Sequence, residues 1–419
     1  MEAIAHTFLW GVNNYNALTI EGLTRRLIHD PFLMYGFGSA IALIFILIQS
    51  LSFIRHSFYE IFLHLHQFLV LGVTIGVLLH CQSQDLPQKP LVYTLLAILA
   101  LERAGRLIRI LSNLGTRLDV QALPGNACRL TFQIPRTWEH KVGQYVYIYI
   151  PSVSLWMSHP FSVASISSKN HPEYLGSKTE ISLIIAARSG MTRKLFSRAS
   201  NSPSSTISMR AFVEGPYKSP GGDNLKSYGT VVLFAGGVGL TCHLSRLKDI
   251  LSESKAGRAA TKKLVLVWAI RSVEMIGWAR DLLDEIKELS QNGQDGGRLC
   301  KLEILIFVSQ HSLPQTPSSE TDVESSIMQR KDAMDAHDQI TDIKIGQDFR
   351  NTPGLEYEEN IEYRRINVEA VIREQFEQRI GAMSVGVCGP GGFGDDVRDA
   401  SRKLMTLGML DFWEEAFTW

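Results

Sequence analysis

The pattern of hydrophobic and polar positions changes once along the chain, near residue 112. Before it lie long apolar runs. Pro31 to Ile54 (PFLMYGFGSAIALIFILIQSLSFI) has no charged side chain, enough to cross about 30 Å of hydrocarbon. Phe58 to His80 forms a second such span with Glu60 near one end, and Leu91 to Leu101 is a shorter run followed by ERAGRLIRIL, which reads as the return helix. Arg103, Arg106 and Arg109 at its end mark the cytoplasmic side. Residues 1–12 read as the end of a further helix, without the basic region and cleavage site of a secretory signal.

After residue 112 the pattern shortens to alternating segments: TRLDVQAL, ACRLTFQI, GQYVYIYIP, EISLIIAA and ISMRAFVEG. Tyr145, Tyr147 and Tyr149 alternate with Val146, Ile148 and Ile150, the period-two signature of a strand. Short strands broken by Gly, Pro and Asn predict a small antiparallel β-barrel over 116–220. Within it, AARSGMTRKL predicts a strand, a glycine and Thr192 at the mouth of a helix, which is either an anion site or a plain cap. From 228 to 419 strands alternate with helices. TVVLFAGGVGLTCHLSRLKDIL predicts a buried strand, a glycine turn at Gly236, Gly237 and Gly239 with Thr241 opening the helix, and close approach to a pyrophosphate. MSVGVCGPGGFGDDVRDASRKL repeats the arrangement and puts Cys388 at a strand's carboxyl end. The expectation is a doubly wound parallel α/β sheet, interrupted at 311–360 by a polar stretch that reads as a disordered insertion. The fold class is thus multidomain: a transmembrane α-helical bundle (1–112), a β-barrel and an α/β nucleotide domain.

Composition alters this picture little. Lys+Arg and Asp+Glu both count 42, so no bulk charge points to nucleic acid. The five cysteines are scattered without a C-x-x-C or an even framework, which argues for a reducing compartment around the soluble part.

The candidate chemistry in the apolar half is histidine. His66 and His80 are fourteen residues apart, roughly 40° short of four full helical turns and about 21 Å along the axis. They share a face, as a stack of two haems requires, with His66 toward the cytoplasm and His80 toward the outside. His6 lies in a segment parallel to that of His80, near the same surface, so His6 and His80 can clamp one haem; neutral imidazole is a common axial ligand. The partner expected for His66 falls about fourteen residues before His6, ahead of Met1. The alternative is that these histidines are polar residues bonded to neighbouring helices.

In this order, HPFSVAS, EGPY, AGGVGLT, VCGPGG and the terminal F-x-x-E-x-F-x-W resemble the fungal ferric-chelate reductases, within the ferredoxin reductase-like flavoproteins that include the NADPH oxidases. The resemblance implies a membrane bundle with b-type haems, a barrel with FAD and a last domain for NADPH. His159, Pro160, Phe161 and Ser162 then contact the flavin, Ser162 near its N5, while Arg188, Gly190 and Thr192 hold the FAD pyrophosphate. Gly236, Gly237, Gly239 and Thr241 hold the NADPH phosphates, Cys388, Gly389 and Pro390 lie at the nicotinamide, Arg271 meets the 2′-phosphate, and Trp419 stacks on the isoalloxazine. The implied activity carries electrons from NADPH through FAD and haem to a ferric or cupric chelate across a multi-pass, plasma-membrane protein with cytoplasmic flavoprotein domains. A superoxide-forming oxidase, a diaphorase and a non-catalytic remnant are the alternatives. Lys218 replaces the glycine usual after EGPY, and the missing partner of His66 reads as an N-terminal truncation.

Overall fold

The computed structural model describes residues 2–15, 20–57, 59–112, 116–134, 141–154, 158–169, 178–218, 224–291, 300–310 and 361–415. The expectations for the insertion at 311–360 and for Trp419 lie outside them. The chain forms two compact units, residues 1–112 and 113–417, described in turn.

The first unit is helical: α1 (Glu2–Tyr15), α2 (Ile20–His29), α3 (Pro31–Gln49), α4 (Ser52–Ser57), α5 (Tyr59–Ser83) and α6 (Lys89–Ser112). Asp30 caps α3, its carboxylate accepting from the Phe32 N–H at 3.0 Å, and Pro31 fills the first helical position, where its missing N–H costs nothing. The span expected to run to Ile54 stops at Gln49. There the Ser50 N–H closes the last turn on the Ile46 carbonyl, and α4 begins separately at Ser52. The helix at α2 has no counterpart in the sequence reading. Pro31–Gln49 and Ile61–Ser83 are long and apolar enough to span a bilayer, and only 11% and 6% of their apolar windows are buried. A core helix of a water-soluble protein would be largely covered, and these are not. Helices α3 and α5 pack closely through small residues. A side chain on Gly76 would strike the Ser39 hydroxyl, the small-residue contact that lets membrane helices touch.

The second unit starts with an antiparallel sheet: β1 (Thr116–Leu123), β2 (Ala127–Ile134), β3 (Gln144–Tyr149), β4 (Ser158–Ser162), β5 (Ser165–Lys169), β6 (Lys178–Ala186) and β7 (Thr206–Lys218), with α7 (Gly190–Ser200) between β6 and β7. Among the described residues the strand order is β4-β3-β7-β1-β2-β6-β5. The outermost strands, β4 and β5, are joined by only Val163 and Ala164, so the sheet must curl until its edges meet. Val163 N–H donates to Gln144 O on one side and Ala164 N–H to Ser182 O on the other, at 3.0 and 2.9 Å. The barrel closes there, round a core that includes Leu118, Leu130, Val146, Ile148, Ile181 and Leu183. Lys218 simply ends β7.

The parallel sheet that follows comprises β8 (Thr230–Gly236), β9 (Lys263–Ile270), β10 (Lys301–Val308), β11 (Ile361–Glu362), β12 (Met383–Cys388) and β13 (Leu410–Glu415), with helices α8 (Leu240–Lys255), α9 (Arg280–Gln291), α10 (Val368–Glu377) and α11 (Gly391–Met405). Its order is β11-β10-β9-β8-β12-β13. The direction of winding reverses between β8 and β12, and such a reversal leaves a crevice at the strands' carboxyl ends. Strand β8 is buried along its whole length, as expected of a central parallel strand covered on both faces. Arg129 of the barrel holds Asp281 of α9 at 2.7 and 2.9 Å and the Trp278 carbonyl at 2.9 Å. Trp278 Nε1 returns a hydrogen bond to Pro124 O. These contacts fix the barrel on the parallel sheet.

Candidate functional site

In the helical unit, His6 and His80 line one cavity of about 390 Å³ with Trp10, Phe32, Gly36 and Val77 among its walls. His80 is held closely. Its Nδ1 lies 2.8 Å from the Phe32 carbonyl oxygen, so that nitrogen carries the proton and donates, leaving the Nε2 lone pair. The ring stacks on Phe32 at 4.0 Å between centroids. A Cβ at Gly36 would lie 2.8 Å from His80 Nδ1, so only glycine admits the ring here. An imidazole whose second nitrogen bonds a carbonyl is the usual outer-shell arrangement of a metal-ligating histidine, and the apolar, histidine-faced walls fit a haem. His66 stands apart from this cavity's lining, its Nδ1 3.3 Å from Gln49 Nε2.

In the barrel, His159, Pro160, Phe161 and Ser162 form β4, paired in register with Ile148, Tyr147, Val146 and Tyr145. Ser162 is buried, and its Oγ has no hydrogen-bond partner among the described residues. A buried hydroxyl without a partner costs free energy, and at the seam of the barrel it fits a polar ring atom of a flavin. Arg188 is exposed at the end of β6, and Gly190, at φ +56°, opens α7. The Thr192 hydroxyl is spent locally: it accepts from Arg188 N–H and donates to Ser189 O, tying the first turn of α7 to the loop before it.

In the parallel sheet the two glycine turns press on each other. A Cβ at Gly239 would run into the Cys388 carbonyl, and one at Gly236 would come within 2.6 Å of Pro390. These two glycines serve the contact between the turns after β8 and β12. Gly237 is different: φ is +55°, and only Met275 comes near. A Cβ at Gly391 or Gly392, at the start of α11, would meet nothing within 4 Å among the described residues. The open backbone of the crevice, which fits a dinucleotide phosphate, is therefore at Gly237 and Gly391–Gly392. Thr241 Oγ1 donates to Val238 O. Cys388 is fully buried, and Arg271 is exposed beyond β9.

Three features escaped the sequence reading. Trp268, buried in β9, donates from Nε1 to the Gly237 carbonyl at 2.8 Å and holds the turn. Strand β13, over the start of the terminal F-x-x-E-x-F-x-W motif, adds a parallel strand that sets Glu415 opposite Cys388. Arg246 of α8 reaches Glu415 at 2.8 Å. Each is a long-range pairing that no local periodicity carries.

A barrel closed at Ser162, followed by a parallel sheet with a glycine-lined crevice and accompanied by long apolar helices with two histidines on one cavity, defines a membrane flavoprotein of the ferredoxin-reductase kind. Three family models match consecutive parts of the chain: ferric reductase like transmembrane component over 1–77, FAD-binding domain over 113–221 and ferric reductase NAD binding domain over 228–402. A probable cell surface ferric reductase, kap2, of Aspergillus oryzae is 31% identical over 59% of this chain and 34% of its own length. A probable ferric reductase transmembrane component of Candida albicans is 25% identical over 99% of this chain and 57% of its own. Ferric/cupric reductase transmembrane component 2 of Saccharomyces cerevisiae is 26% identical over 88% and 48%. The chain belongs to the fungal ferric reductase family and is a membrane protein with FAD- and NAD-binding domains. It spans between about a third and just over half of the length of these relatives.

Proposed function

We propose that this chain carries electrons from cytosolic NADPH through FAD and haem b to a ferric or cupric chelate on the far side of the plasma membrane. The observation that carries the reading is the union, on one chain, of the barrel and nucleotide crevice with a membrane cavity faced by His6 and His80. FAD supplies the conversion of a two-electron hydride into single electrons, and haem supplies a one-electron carrier within the bilayer. The protein's own groups bind and orient. Strand β4 offers His159, Pro160 and Phe161 beside the flavin and Ser162 Oγ as its hydrogen-bond partner. Arg188 and Gly190 face the FAD pyrophosphate, with Thr192 freed from its local bonds on binding.

Gly237, Gly391 and Gly392 give the nucleotide phosphates close access to backbone. Thr241, Gly236 and Gly239 set the shape of the turn, and Cys388, Gly389 and Pro390 border the nicotinamide. Arg271 would meet the 2′-phosphate, and Trp419 would stack on the flavin. His6 and His80 ligate one haem. His66 would serve a second haem; its Nδ1 meets the Gln49 side-chain amide at 3.3 Å.

The test is the chain in detergent micelles, loaded with FAD and haem. NADPH should bleach the flavin, develop a reduced b-type haem spectrum and reduce a ferric chelate in proportion to NADPH consumed. Oxygen uptake accounting for all the NADPH would instead assign a superoxide-forming oxidase. Flavin bleaching without haem reduction would assign a diaphorase.

A further inference from the structure

Arg246 is 1% exposed. Its Nη1 donates to the Cys242 carbonyl at 2.6 Å and lies 3.0 Å from the Cys242 thiol. Nη2 donates to Glu415 Oε2 at 2.8 Å, and the guanidinium carbon sits 4.7 Å from the centre of the Trp413 ring. Its remaining side lies against the barrel: a Cβ at Gly143 would be 2.8 Å from Nη2 and 3.3 Å from Cζ, and Gly143 takes φ +72°. Gly143 N–H also donates to Ser245 Oγ at 3.3 Å.

The sheet registers show what this side chain joins. Glu415 lies opposite Cys388 in the β12–β13 pair. Gly143 is two residues before Tyr145, which lies opposite Ser162 in the β3–β4 pair. One planar guanidinium therefore spans from the partner of the nicotinamide-side residue to the strand beside the flavin-side residue. Stability alone is a poor account of it. Taking an arginine and a carboxylate out of water costs several kcal/mol, and apolar side chains of similar volume fill such sites equally well or better. What the rigid fork adds is fixed geometry. Burial first, and then a hydrogen bond with Cys388, push the Cys242 thiol well above its ordinary range, and the thiol donates to the same Glu415 Oε2 at 2.8 Å.

We propose that Arg246 is a positioning residue for hydride transfer, a strut that fixes the spacing between the Ser162 edge of the barrel and the Cys388 edge of the parallel sheet. The inference rests on the FAD and NADPH reading above. Hydride transfer requires donor and acceptor near contact, and a misplacement of about 1 Å costs about a hundredfold in rate.

The experiment follows flavin reduction by NADPH in the full chain by stopped flow, with FAD content measured and dithionite reduction as a control. In Arg246→Lys, the charge stays and the fork is lost. FAD content is expected within about twofold of the parent and half-saturating NADPH within about threefold, while the limiting rate falls about tenfold to a hundredfold. Gly143→Ala, which crowds the guanidinium from the barrel side, should shift the same rate in the same direction. A limiting rate within about twofold of the parent in Arg246→Lys, or a loss that tracks FAD content alone, overturns the strut. If Arg246→Lys keeps no FAD at all, Gly143→Ala, which leaves the guanidinium in place and presses on it from the barrel side, decides on the same thresholds. An FAD-loaded parent that NADPH does not reduce overturns the functional reading itself, and this inference with it.

Discussion

Gly36→Ala tests the haem cavity with a single methyl group. The added Cβ would lie 2.8 Å from His80 Nδ1 and 2.9 Å from Cε1. Ordinary contact is about 3.5 Å, so the ring must retreat by about 0.7 Å. Its Nδ1–H bond to Phe32 O, now 2.8 Å, would then stretch to about 3.5 Å, beyond the normal range for N–H···O. The direct loss is about 1 kcal/mol. The larger effect is on the iron: losing the carbonyl that orients a ligating imidazole costs about 10- to 100-fold in metal affinity, or about 1.4–2.7 kcal/mol. The assay is haem titration of the detergent-solubilised protein, reading the reduced-minus-oxidised spectrum per bound FAD. Gly38→Ala is the control, because nothing lies within 4 Å of that position and alanine is the better helix former. Equal haem affinity and identical spectra in Gly36→Ala and the parent would refute the assignment of His80 as a ligand held by Phe32.

Other changes separate the remaining parts. Gly239→Ala drives a methyl into the Cys388 carbonyl; it should destabilise the parallel sheet and abolish flavin reduction by NADPH while dithionite still reduces the flavin, and unchanged thermal unfolding would contradict the packing argument. Arg129→Ala removes the two bonds to Asp281 and the one to Trp278 O, which, given the exposed Asp281, is worth about 1–2 kcal/mol and should show as a few degrees in calorimetry of the FAD-loaded protein. Burial pushes the Cys128 thiol up to about 12 and the Cys300 thiol up to about 11, from an ordinary 9.0. Because the fold favours the protonated forms, this stabilisation is complete below about pH 9 and is lost as the pH rises toward 11 and 12. At pH 8 both thiols should resist iodoacetamide in the folded protein and react on unfolding in urea, read by mass spectrometry; native labelling as fast as a free thiol would overturn the burial argument.

Much of the architecture was legible because the dominant signals are local. The alternation of Tyr145, Tyr147 and Tyr149 with Val146, Ile148 and Ile150 matches β3, where Val146 and Ile148 are buried, as is Ile150 just beyond it. The runs around Phe234, Leu266 and Val385 gave strands β8, β9 and β12. Local pattern failed where the outcome depends on a distant partner. Strand β13 is a mixed stretch, LDFWEE, whose identity as a strand comes from its pairing with β12. Helix α3 stops at Gln49 within an apolar run that continues to Ile54, an event that hydropathy does not register. Arg246 lies on an amphipathic helix, and the residues that make it interior, Gly143, Trp413 and Glu415, are all distant in sequence.

The glycines expose a limit in reading nucleotide motifs. A glycine-rich turn after a strand is usually taken as room for a phosphate, yet Gly236 and Gly239 are required first by the neighbouring turn, whose Pro390 and Cys388 carbonyl occupy the space a side chain would need. The same composition thus answers two demands, and sequence cannot apportion them. The structure does so by what surrounds each Cα. Glycines crowded by other parts of the protein hold β8 and β12 together at the point where the winding reverses, and those with open space before them, Gly237, Gly391 and Gly392, are left to face a ligand. The contact between the turns is therefore the precondition of the site. It brings the β8 and β12 ends together so that Gly237 and the start of α11 line one crevice, and it fixes Cys388 at the depth from which Glu415 and Arg246 extend toward the barrel.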